Sequence, residues 1–148
     1  MRVFHASAKH VFHRVHFDHG EAEFLGMFAN TAATGDGPVP TVVGYGDLHD
    51  PYLESDREGR TLFNVGSVGN NLGSPEPSYA IVEGDCGSTD RAPFSVQFVR
   101  VPYDVEAEVA VAYDAGMPMV GHWAGELRTG LYRGDQESGR PAPYHRPR

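Results

Sequence analysis

Two acids and a histidine crowd the stretch VVGYGDLHDPYL, residues 42–53. Asp47 and His49 stand two apart, after an apolar run with glycines at 44 and 46 that let the backbone turn sharply. In a strand-like continuation, residues two apart point the same way, so the carboxylate and the imidazole could reach one ion. An oxygen-and-nitrogen donor pair suits Mn²⁺, Fe or Zn²⁺ better than the softer metals. By spacing alone, however, Asp-x-His serves a polar turn after a buried strand equally well. His5 ends an earlier apolar run and is followed by the small residues Ala6 and Ser7. The carboxyl end of a strand is where an open α/β sheet offers side chains to a ligand, although a capped structural histidine fits the same position.

Other chemistry-bearing residues fall into three groups. His10, His13, His16 and His19 recur every third residue, and six of the eight histidines precede residue 50. Partly exposed histidines on a loop or edge strand are the expectation there, with weak metal binding as the sharper alternative. Asn64, Gly66, Ser67 and Gly69 follow an apolar run; the glycines allow close backbone approach, and Asn64 and Ser67 can donate hydrogen bonds to neighbouring loops. No Gly-Lys-Ser/Thr follows, so this is not a phosphate loop of the Walker type. Cys86, the single cysteine, lies in EGDCGSTD without an obvious activating base and reads as an incidental thiol.

The elements that must position these residues are short. Residues 3–5 read as the end of a strand and residues 12–17 as a second strand within a loop. In EAEFLGMFAN, residues 21–30, Phe24, Leu25 and Phe28 share one helical face. Residues 41–44 are a buried strand bounded by breakers, and residues 52–54 and 60–64 flank SDREG as a hairpin. Residues 78–83 and 94–100 are the next strands. Asp104 is placed to cap a helix whose stripe is Val105, Val109, Ala112 and Tyr113, closed by Gly116. A second helix follows Pro118, with Met119, Trp123 and Leu127 on its buried face. This reads as an α/β or α+β layered fold, a strand-rich middle with two C-terminal helices, in one domain over residues 1–131, with 132–148 a frayed tail.

Composition narrows the functional classes. A chain of 148 residues with 40% hydrophobic residues suits one modest core rather than disorder. Twenty acids against twelve Lys plus Arg give a formal charge of −8, which opposes a nucleic-acid backbone as the main partner. No apolar run approaches the ~20 residues that span a bilayer, and residues 1–17 lack the apolar stretch of a signal peptide, so no membrane association is expected and the cytoplasm is the expected compartment.

Taken in order, FHAS (residues 4–7), GDLHDPY (46–52), NVGSVG (64–69) and SYAIVE (78–83) resemble the calcineurin-like metallophosphoesterase superfamily, in particular its small bacterial phosphodiesterase-like members. Those proteins carry a strand followed by Gly-His-x-His and Pro, a hairpin, Asn-Pro-Gly-Ser-Val-Gly, and a strand of the Ser-Tyr-Ala type. The resemblance covers most of residues 3–101. It implies a four-layer αββα sandwich, two divalent metal ions (Mn, Fe or Zn) bridged at the sheet ends, and hydrolysis of a small phosphoester by metal-activated water. By the same resemblance His5 and Asp47 bind one metal and His49 the other, while Asn64 and Ser67 bind substrate or position the loops.

Two departures qualify it. Asp47 stands where the family has the first histidine of its motif, which implies an altered metal preference. The family's earlier motifs, Asp-x-His, Gly-Asp-x-x-Asp-Arg and Gly-Asn-His-Asp/Glu, do not occur in this sequence. The expectation is therefore the C-terminal half of such a domain, from a truncated gene, a misassigned start or a split enzyme. It is a hydrolase by resemblance. Alternatively it is a non-catalytic half that oligomerises or joins a complementing N-terminal half.

Overall fold

The protein's structure, a computed structural model, describes residues 1–85, 87, 88 and 90–138. These form six strands and four helices, a mixed α/β composition. They divide into two compact units, Met1–Ser67 and Val68–Arg148.

In the first unit, β1 (Arg2–Phe4), β2 (Val42–Tyr45), β3 (Tyr52–Ser55) and β4 (Thr61–Asn64) make one sheet in the order β1-β2-β4-β3. β1, β2 and β4 run parallel, with Val3 opposite Gly44 and Gly44 opposite Phe63. β3 returns antiparallel along β4. The hairpin closes locally, because the Asp56 carboxylate accepts from the backbone N–H of Glu58 and Arg60 and from Arg60 Nε, and Gly59 supplies a φ of 78°.

Parallel pairing of β1 and β2 requires a crossover, and α1 (Glu21–Phe28) lies on it. Phe24, Met27 and Phe28 follow the i, i+3, i+4 spacing of a buried helical stripe and join Val15, Val43, Tyr45, Leu48 and Leu62 in the core. Leu25, expected on that face, is 39% exposed; Met27 takes its place. The strand expected over residues 12–17 does not form. Turns closed by His13 N–H to His10 O (3.0 Å) and His19 N–H to His16 O (3.1 Å) interrupt the segment at both ends. Phe12 is 87% exposed, and Val15 is the apolar residue of the segment that enters the core.

In the second unit, β5 (Ser78–Gly84) and β6 (Phe94–Arg100) pair antiparallel over seven residues each. They are followed by α2 (Val105–Asp114), α3 (Val120–Thr129) and α4 (Arg133–Ser138). The Asp104 carboxylate caps α2 by accepting the Ala107 N–H at 3.0 Å. α2 and α3 bury Val109, Ala124 and Leu127, with Val105 and Trp123 packed beside them. Tyr113 and Met119, expected on the buried stripes, are exposed; Met119 is instead the left-handed residue that begins α3. A two-point ion pair, Arg128 Nε to Glu106 Oε1 at 2.6 Å and Nη2 to Oε2 at 2.7 Å, joins the two helices. α4 lies in the stretch expected to be a frayed tail. Residues 139–148 and Cys86 fall outside the described residues. Among the described residues, no helix is long and apolar enough to cross a membrane.

Candidate functional site

Because β1, β2 and β4 are parallel, their carboxyl ends share one edge of the sheet. His5 directly follows β1, Asp47 and His49 follow β2, and Asn64 ends β4. The ladder continues one step beyond β2, where Gly46 N–H donates to His5 O at 2.9 Å. A Cβ on residue 46 would stand 3.5 Å from that carbonyl and 3.8 Å from His5 Nδ1, so the glycine runs close beneath His5.

Asn64 fixes the other side of this corner. It is fully buried, its Nδ2 donates to Gly46 O at 2.6 Å, and its Oδ1 accepts the Gly66 N–H at 3.0 Å. Gly46 O also accepts the Leu48 N–H at 2.9 Å, which makes a three-residue turn centred on Asp47. Asp47 sits there with φ 70° and His49 with φ 64°, left-handed conformations that are uncommon for residues with a Cβ. The cost is borne while Leu48, between them, is held in the core. Strained non-glycine residues of this kind gather at functional sites.

The turn presents the Asp47 carboxylate to an imidazole and a guanidinium. Its Oδ1 lies 3.4 Å from His5 Nε2. Arg14, from the loop after β1, donates Nε to Oδ2 at 2.8 Å and Nη2 to Oδ1 at 3.3 Å. The Arg14 hydrogen bond, assisted by the positive charges of Arg14, His5 and His49, holds the Asp47 carboxyl below the usual carboxylate range, against an opposing contribution from burial. Arg14 is itself located by its neighbour: Val15 is 2% exposed, and its carbonyl accepts the Tyr45 hydroxyl proton at 2.8 Å.

The structure therefore brings His5 and Asp47 together, sets half-buried His49 two residues away within reach of the Asp47 charge, and ties Asn64 to the backbone that carries them. Ser67 is half-buried and closes the unit three residues after Asn64. Of the histidines spaced by three, His10 accepts the Phe12 N–H at 3.1 Å and lies against the Phe12 ring. His19 differs: its side chain is 5% exposed, bonds Glu54 through Nε2 and packs on Phe24. The period of three reflects successive turns rather than a helix.

Arg14 is the site residue that sequence reasoning missed. Its only signal is its place in the loop that follows the strand leading to His5. A bridged pair of dications needs several carboxylate and imidazole donors. Among the described residues no three His, Cys, Asp or Glu side chains are grouped to hold a metal ion, and both oxygens of the Asp47 carboxylate engage Arg14. As arranged, the residues do not fit two metals. A separate hollow of about 410 Å³ in the second unit is lined by Val68, Gly69, Pro77, Tyr79, Val101 and Tyr103 among others; it includes Gly69 of the NVGSVG stretch but none of His5, Asp47, His49, Asn64 and Ser67. A scan of protein-family models and a search of curated proteins both found no match for this chain.

Proposed function

We propose that this chain is the C-terminal half of a calcineurin-like metallophosphoesterase domain and does not hydrolyse phosphoesters by itself. The observation that carries the second part is the two-point hold of Arg14 on Asp47. The carboxylate most needed for a divalent ion is neutralised by a guanidinium that stays charged at every working pH. The half-sandwich reading rests on the order of GDLHDPY, NVGSVG and SYAIVE, and on donors placed at the carboxyl ends of adjacent parallel strands. A partner supplying the missing carboxylates would also have to displace Arg14. The competing reading, a working metal-dependent phosphoesterase, draws support from the strained backbone at Asp47 and His49.

Hydrolysis of bis-p-nitrophenyl phosphate in Mn²⁺ separates them. The wild-type chain is expected to turn over no faster than His49→Ala. A clear rate that disappears in His49→Ala would establish the enzyme and refute the proposal.

A further inference from the structure

We infer that Arg14 is a resident substitute for the metal: its guanidinium takes the charge-compensating position beside Asp47 and His5, and excludes divalent cations until it is moved. This rests on reading His5, Asp47 and His49 as a ligand wall, and goes beyond that reading by assigning Arg14 a role.

The geometry argues for exclusion rather than a casual surface pair. A divalent ion bonds carboxylate oxygen directly at about 2.0–2.2 Å, on the lone pairs that here face N–H donors. Arg14 reaches one oxygen at 2.8 Å and the other at 3.3 Å, so both are covered by one planar fork. Oδ1 is shared with His5, whose Nε2 is 3.4 Å away, so the imidazole and the guanidinium converge on the same carboxylate. The Arg14 side chain is half-exposed, yet its backbone is anchored, since Val15 is buried and Tyr45 bonds its carbonyl. A cation entering this corner meets a permanent positive charge at contact distance. A compact ammonium in place of the fork would cover one oxygen at a time and guard the site less well.

Mn²⁺ alone, followed by calorimetry and by loss of the free-ion electron paramagnetic resonance signal, tests this on the full chain. Arg14→Ala is expected to bind Mn²⁺ at least about tenfold more tightly than wild type, with Arg14→Lys between them. Adding Asp47→Asn to Arg14→Ala is expected to remove the gain. If wild type binds as tightly as Arg14→Ala, and His49→Ala weakens both, the wall stands and the guard is refuted. If neither binds, the wall reading fails and the inference fails with it. Circular dichroism checks each fold; should Arg14→Ala not fold, Arg14→Lys against wild type decides by the same direction of change.

Discussion

Removing one oxygen atom from Tyr45 tests how the site is anchored. Tyr45 is 1% exposed, and its hydroxyl donates its single proton to Val15 O, so the Tyr52 hydroxyl must be the donor in the contact between the two phenols. In Tyr45→Phe the Tyr52 group, half-buried, can turn to water, but the carbonyl of buried Val15 loses its donor. An unsatisfied buried acceptor costs about 1–3 kcal/mol. For a unit the size of Met1–Ser67, each kcal/mol lowers the Tm by roughly 4–8 °C.

The same substitution has a signature at alkaline pH. Burial is the main cause that pushes both phenols far above the ordinary tyrosine pKa of about 10; Tyr52 adds to the rise of Tyr45, and Glu54 to that of Tyr52. A group whose pKa is raised by folding contributes stability that is complete below the unfolded pKa and is lost as pH rises above it. Unfolded chains release these protons near pH 10 while the folded unit keeps them, so each phenol steepens the loss by about 1.4 kcal/mol per pH unit. Tyr45→Phe removes one of the two contributions. Urea unfolding between pH 7 and 11.5, followed by far-ultraviolet circular dichroism, measures both effects. Trp123, the sole tryptophan and part of the second unit, reports that unit separately by fluorescence. An unchanged midpoint at pH 7 would refute the bonding scheme, and an unchanged alkaline slope would refute the burial argument for the Tyr45 phenol.

Gly44→Ala is expected to destabilise the first unit by about 1–3 kcal/mol, because the added Cβ would lie 2.7 Å from Cζ of buried Phe63. Adding Phe63→Leu should recover part of the loss in the urea midpoint. His19→Ala is expected to cost about 1–3 kcal/mol by the same assay, since the nearly buried ring loses both its bond to Glu54 and its packing on Phe24.

Local chemistry was the legible part of this chain. Asp104 and Gly116 bracket α2 because a carboxylate before the first turn and a left-handed glycine after the last act within a few residues. The apolar runs bounded by Gly and Pro mark the strands to within a residue or two, as with residues 41–44 against Val42–Tyr45. Residues 12–17 misled because β-branched and aromatic content describes a residue's fitness for a ladder, not whether a ladder is there. Leu25 and Met27 are equally apolar, and only the position of β2 decides which is covered. For the site, proximity of His5 and Asp47 depends on parallel pairing, which the apolar runs do not specify. The Arg14–Asp47 contact joins residues 33 apart and leaves no periodic trace.

The strand order also dictates when the site comes into being. The β3–β4 hairpin is local and can close in microseconds, whereas Arg2 must find Val43 across roughly forty intervening positions before β1 is in register. β1 has three residues, lies at the sheet margin and leaves Val3 67% exposed; it is held by its ladder with β2, by Phe4 against the core and by the Arg2 guanidinium, which donates to Ala29 O at 2.8 Å and Asn30 Oδ1 at 2.7 Å. His5 is therefore expected to be placed after the hairpin has closed, and to be released whenever β1 opens locally. Deuterium uptake at the Gly46 amide, whose acceptor is His5 O, is a direct clock for that opening.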